Sequence, residues 1–265
     1  MLSNKDIVVV VPIYLPVISS MEMIALKQCF AVLGNYDIVL VVPESLDCSI
    51  YEKNFPLVKI MVFHNRYFES LRAYNKLVLD ESFYARFATY EYMLIYQLDA
   101  YVFKDELLMW ANRGYDYIGA PWLPAERKDL RWTARARLYI QRSMGFIVSR
   151  KRVFQENDLF YLVGNGGFSL RRIGKMLEVT HFYKDKIDEL LDDGLPFYPE
   201  DVLLLLEVGG KYILRRPSYR VAMKFAMEHN PWWAYRQNNN QLPFGCHNWY
   251  DEQALPFWSQ FINLK

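Results

Sequence analysis

"DIVVVVPIY", residues 6–14, decides the fold: a short β-branched apolar run, uninterrupted by any polar residue from Ile7 to Val11 and stopped at Pro12. A strand with no polar face belongs inside a sheet covered on both sides, the usual condition of parallel sheets. Working outward, Met23, Leu26, Phe30 and Leu33 recur at helical spacing up to Gly34. "YDIVLVVPESL" (36–46) repeats the apolar run and its proline stop, and "VKIMVF" (58–63) is a third strand. Helical periodicity returns in "LRAYNKLVL" (71–79) before "EYMLIYQL" (91–98). This alternation predicts an α/β fold with a mostly parallel sheet flanked by helices. "DYIGAPW" (116–122), "GFIVS" (145–149) and "GGFSL" (166–170) are further strand candidates, and 171–191 and 201–208 helix candidates.

A chain of 265 residues in this pattern, with no internal repeat and no linker, is expected to fold as a single domain. Thirty-one Lys and Arg against thirty Asp and Glu give a net charge of +1, which provides no field for nonspecific nucleic-acid binding. Cys29, Cys48 and Cys246 are odd in number and lack C-x-x-C spacing, arguing against a disulfide framework or a cysteine zinc site. The absence of a leader pattern and of a spanning apolar run suggests a cytoplasmic protein, with membrane contact only peripheral at the inner face.

Four stretches carry candidate chemistry. "LIYQLDAYVF" (94–103) places Asp99 where a strand ends, the side of an open α/β sheet on which ligands bind; Asp99 either caps the helix beginning near Asp105 or faces a ligand. "LVGNGGFSLR" (162–171) sets three glycines around Asn165, suited to a tight hairpin, a positive φ or a close backbone approach. "FYPEDVLLLLEVG" (197–209) heads an apolar helix with Glu200 and Asp201, either a helix cap or a carboxylate able to take a proton from a hydroxyl. "LPFGCHNW" (242–249) brings His247 onto a turn, as a packed histidine or as a ligand. No Gly-Lys-Ser/Thr phosphate loop is present, so nucleoside triphosphate hydrolysis is not indicated.

In this order the stretches resemble glycosyltransferases of the GT-A fold. "YQLDAYVF", "YDYIGAPW", "VGNGGFSLR", "PEDV" and "LPFGCHNW" look more closely like a microbial family of predicted glycosyltransferases. The resemblance implies a GT-A, Rossmann-like single domain over 1–265, with residues 1–103 as the nucleotide-sugar half and 104–265 as the acceptor-binding and catalytic half. It implies transfer of a sugar from a nucleotide diphosphosugar, a UDP-sugar first, to a glycan or lipid-linked glycan hydroxyl. The family's Asp-x-Asp motif falls on Asp99, Ala100 and Tyr101, so its second acid is a tyrosine here. Asp99 and His247 would then hold Mn²⁺ or Mg²⁺, with Asp105 a distant substitute. Asp201 would be the base of an inverting displacement, with Glu200 beside it.

The same resemblance places Pro12, Tyr14 and Glu44 around the base and ribose, and Asn75, Lys76 and Gln97 near the nucleotide. Ordinary roles in strand ends, a solvated helix face or a core hydrogen bond remain open for these. Asn165, Gly166 and Gly167 are expected at the acceptor, with Trp122 and Trp249 stacking on sugar faces or buried. The basic segment 126–142, "ERKDLRWTARARLYIQR", is either a solvated helix face or a contact for an anionic lipid-linked acceptor. A catalytically inactive sugar-binding or scaffolding protein of the same fold is the alternative that Tyr101 keeps open.

Overall fold

The computed structural model describes residues 2–125, 132–143, 159–191, 199–204 and 214–264. Its larger sheet has six strands, β1 (Ile7–Pro12), β2 (Asp37–Pro43), β3 (Lys59–Phe63), β4 (Tyr92–Tyr96), β6 (Tyr117–Ile118) and β7 (Phe168–Arg172), in the order β3-β2-β1-β4-β7-β6. β3, β2, β1 and β4 run parallel, while β7 is antiparallel to both β4 and β6. A smaller sheet joins β5 (Tyr101–Val102), β9 (Gly245–Cys246) and β8 (Ala226–Met227) in that order.

The apolar run of β1 explains itself in the packing. Ile7, Val9 and Val11 enter one buried cluster while Val8 and Val10 enter another, so successive side chains feed cores on opposite faces. β4 divides in the same way, with Leu94 and Tyr96 on one side and Met93 and Ile95 on the other. Each fully buried aliphatic side chain contributes about 1.5–3 kcal/mol, and a polar residue in either strand would forfeit that on one face.

The helix Ser20–Leu33 starts from a capping box, in which Glu22 N–H donates to Ser19 Oγ at 3.2 Å and Ser19 N–H to Glu22 Oε2 at 2.7 Å. The helix Leu71–Val78 is capped by Ser70, whose Oγ accepts from Ala73 N–H at 3.1 Å. Of the later strand candidates, 116–122 and 166–170 correspond to β6 and β7, whereas "GFIVS" lies outside the described residues, as do 205–208 of the last helix candidate. Among the described residues, no helix is long and apolar enough to cross a membrane.

A third cluster, including Tyr101, Met227, Cys246, Trp249, Phe257 and Trp258, packs around the small sheet. This body closes over the end of β4 and carries half of the site.

Candidate active site

Register in the small sheet assembles the site. Antiparallel pairing sets Tyr101 opposite Cys246, and parallel pairing sets Met227 beside Cys246. The next residues along β8 and β9 are Glu228 and His247, and the turn before β5 carries Asp99. Trp249 N–H donates to the Asp99 carbonyl at 3.1 Å. In the large sheet, Gln97 N–H donates to Gly167 O at 2.8 Å, drawing the glycine loop to the same edge.

His247 is central. Its Nε2 lies 3.0 Å from Asp99 Oδ1 and 3.3 Å from Gln97 Oε1, and its Nδ1 lies 3.0 Å from Glu228 Oε1. Burial opposes a charge on the ring, but the carboxylates of Asp99 and Glu228 outweigh it and raise the imidazole pKa well above its ordinary value. Glu228 moves the opposite way. Burial alone would raise it, yet His229 and then the hydrogen bonds from His247 and Asn165 lower it to about 2.

The glycine loop serves the protein's own side chains. A Cβ on Gly167 would stand 1.9 Å from His247 Nε2, one on Gly166 2.1 Å from Glu200 Oε1, and one on Gly164 1.8 Å from the Trp122 ring. Glu200 and His247 thus occupy the space that a side chain at Gly166 or Gly167 would need. The positive φ falls on Asn165, at 70°. Its Oδ1 accepts from Gly167 N–H at 3.0 Å, its Nδ2 donates to Glu228, and its N–H donates to Asp201 Oδ2 at 2.8 Å. Asn165 thus connects the parts of the site wall through its own hydrogen bonds.

Glu200 and Asp201 part company. Glu200 pairs with Arg171 at 2.6 Å, and Arg171, at 0% exposure, also donates to Tyr84 Oη at 2.9 Å. Glu200 N–H donates to Asn75 Oδ1 at 2.9 Å. Both expected site residues, Glu200 and Asn75, are held in the scaffold by these bonds. Asp201 accepts one backbone N–H on each oxygen, from Asn165 and from Val202 at 2.8 Å each. Its burial, followed by the charge of Glu200, raises its pKa to about 7 against the pull of those two bonds.

Beside this cluster a cavity of about 350 Å³ opens at the ends of β1 and β4. Pro12, Tyr14, Gln97 and Asp99 line it, together with Tyr74 and Tyr250, which no sequence motif marked. Burial first, then the charges of Asp99 and Glu22, push Tyr250 up to about 12. Glu22, Glu69 and Asp99 face the cavity, and among the described residues no Lys or Arg lines it.

Other expected contacts lie elsewhere. Glu44 is exposed outside the cavity, and Lys76 lines a separate cleft with Arg66 and Lys184. Ala100 is fully buried, and the Tyr101 ring packs on Phe103 and Trp249, at centroid distances of 5.2 and 6.0 Å, because its strand turns that side chain into the third cluster. Trp249 is 0% exposed, so neither ring face is open to a sugar, while Trp122 stays partly exposed. Asp105 accepts from Tyr36 Oη at 2.9 Å and stands at the start of the helix Leu107–Ala111, away from the site. Glu228 had a weak sequence signal. It follows the apolar "FAM" as Asp99 follows its own run, but over three residues only.

For a divalent cation the residues fit. Asp99 Oδ1 is buried and, among the described residues, accepts no well-aligned hydrogen bond; it faces His247 Nε2. Once Nε2 gives up its proton, the two ligand atoms, 3.0 Å apart, match neighbouring positions on an octahedral ion with bonds of about 2.1 Å. Among the described residues no three His, Cys, Asp or Glu converge on one point. The protein side of such a site would then be two ligands, Asp99 and His247.

The sheet order, the small sheet and the cavity at the strand ends define the GT-A glycosyltransferase fold. Solved structures of similar fold include a galactosyltransferase, LgtC, in complex with donor and acceptor sugar analogues: 14% identity, TM-score 0.51, 91% of this chain and 86% of that one. Another is the glycosyltransferase GlyE of Streptococcus pneumoniae TIGR4: 12% identity, TM-score 0.54, 98% of this chain and 58% of that one. This chain thus spans less than two thirds of GlyE. A family model matches residues 57–247, and the chain belongs to that family, described as protein of unknown function (DUF5672). No curated protein matches the sequence.

Proposed function

We propose that this protein is a glycosyltransferase that moves a sugar from a nucleotide diphosphosugar, a UDP-sugar first, to a hydroxyl of a glycan or lipid-linked glycan. The observation that carries the reading is the cavity beside the Asp99–His247 pair, walled by three acids and by no Lys or Arg among the described residues. A diphosphate meets net repulsion there unless a cation accompanies it. Asp99 and His247 would hold Mn²⁺ or Mg²⁺, which would offset the charge developing on the leaving diphosphate.

In this reading Pro12, Tyr14, Tyr74 and Tyr250 enclose the nucleotide, and residues 1–103 supply most of the donor side. The acceptor oxygen attacks the anomeric carbon as the bond to the diphosphate breaks, and Asp201 takes the acceptor's proton with inversion. A carboxylate titrating near 7 suits that role better than one at its ordinary value. Glu200 and Arg171 fix the segment that carries Asp201.

A lipid-linked acceptor at the inner face of the membrane is the finer expectation for the basic segment 126–142. Its described helix, Trp132–Ser143, leaves Trp132 78% exposed, and Arg135 donates to Tyr219 Oη at 2.9 Å, bringing 214–220 to the same surface. Tyr101 supports a second reading. With its ring in the core at the position where the Asp-x-Asp motif has its second acid, the protein would bind sugar nucleotide without turnover.

Calorimetric titration of uridine and guanosine diphosphosugars, each with Mn²⁺ and with EDTA, tests the proposal. Binding of one donor only with metal, followed by metal-dependent nucleotide release with an acceptor, is expected. Binding without any release favours the noncatalytic reading, and no binding by either donor class counts against both UDP- and GDP-sugars.

A further inference from the structure

We propose that Glu228 is a positioning residue for the cation site: it holds Nδ1 of His247 so that Nε2 is presented to Asp99 and the donor cavity. The inference rests on the metal-dependent reading above and adds a residue that no sequence motif marked.

Three observations carry it. The parallel register of β8 and β9 places Glu228 and His247 as the next residues after paired positions, so their proximity is set by backbone hydrogen bonding rather than by side-chain reach. Glu228 Oε1 lies 3.0 Å from Nδ1, while Oε2 is held by Asn165 Nδ2 and stands 3.3 Å from His229 Nε2. The carboxylate is therefore gripped on both oxygens and cannot swing without losing partners. On its other side the imidazole is confined by Gly167, where even a Cβ would lie 1.9 Å from Nε2.

An imidazole has one nitrogen to offer a cation when the other keeps its proton, and a carboxylate on the protonated nitrogen fixes which is which. Without Glu228, Nδ1 keeps only the Asn165 side-chain amide, a donor 3.2 Å away, while Nε2 still faces two acceptors, Asp99 Oδ1 at 3.0 Å and Gln97 Oε1 at 3.3 Å; a neutral ring then carries its proton on Nε2, the arrangement that blocks the ligand. Glu228 selects against it.

The test is a titration of the full chain with Mn²⁺ and no donor, following the paramagnetic resonance signal of free Mn²⁺. Glu228→Ala is expected to weaken Mn²⁺ binding about 10–100-fold. Glu228→Gln, nearly isosteric and still an acceptor for Nδ1–H, is expected to recover most of the loss. In a His247→Ala background, Glu228→Ala is expected to change nothing further, a non-additivity that a general loss of fold would not produce. Unchanged affinity in Glu228→Ala, an equal loss with and without His247, or a wild-type chain that binds no Mn²⁺ would each overturn the proposal. Donor titration in EDTA separates the two readings: donor bound and transferred without metal leaves the transferase and removes this role for Glu228. Mn²⁺ bound as expected with no donor bound does the reverse.

Discussion

Asn165 donates its backbone N–H to Asp201 Oδ2 at 2.8 Å and its side-chain amide to Glu228, so a single left-handed residue ties the candidate base to the carboxylate behind His247. The two chemical ends of the site are joined through the protein itself. A change at either end is expected to reach the other through this loop.

Asp201 is expected to give the site a pH dependence. Burial and Glu200 raise it from 3.8 to about 7. Between those values the folded state keeps a proton that the unfolded chain has lost, so Asp201 lowers stability as pH rises across that window and adds nothing above it. As a base the group is available only above about 7. We expect kcat/KM to rise with an inflection near that pH, and Asp201→Asn to remove the inflection together with about 10²–10⁴ of the rate. A flat wild-type profile from pH 5 to 9, or full turnover in the variant, would release Asp201 from the role.

Glu200 is a matter of stability first. Its partner Arg171 is wholly buried, and truncating one member of such a pair leaves an uncompensated charge. Glu200→Ala is expected to cost about 3–5 kcal/mol in urea unfolding. A loss below about 1 kcal/mol would mean that Arg171 finds water or another partner on its own.

Two glycines separate packing from propensity. Gly167→Ala drives a methyl group into His247 Nε2 and Gln97 Oε1, and is expected to abolish metal-linked donor binding. Gly174, within the helix Ile173–Phe182, would meet nothing within 4 Å among the described residues. Gly174→Ala is expected to leave binding intact and stabilise the chain by about 0.5–1 kcal/mol. Calorimetry for binding and thermal unfolding for stability distinguish the two, and equal effects would contradict the packing argument.

Asp99→Ala addresses the cation directly. Donor affinity in Mn²⁺ is expected to fall to its level in EDTA, because one of the two proposed ligands would be gone and His247 loses its facing carboxylate. Identical metal enhancement before and after the substitution would show that Asp99 does not ligate.

The apolar runs of residues 7–12, 38–43 and 92–96 determined the parallel half of the large sheet, since such a run is satisfied when covered on both faces. Asp99, Asp201, His247 and the glycine loop were legible for a related reason: each interrupts an apolar or regular pattern at an element's end, where a backbone can present a side chain. What the sequence left open is which way each side chain turns and what already occupies the space beside it. Burial of Tyr101 and Trp249, capture of Glu200 by Arg171, and the meeting of Glu228 with His247 all depend on strand register in a sheet whose members are far apart along the chain. Only the tertiary structure decided them, because a two-residue strand leaves almost no periodic signal while its pairing fixes its neighbours within a few ångströms.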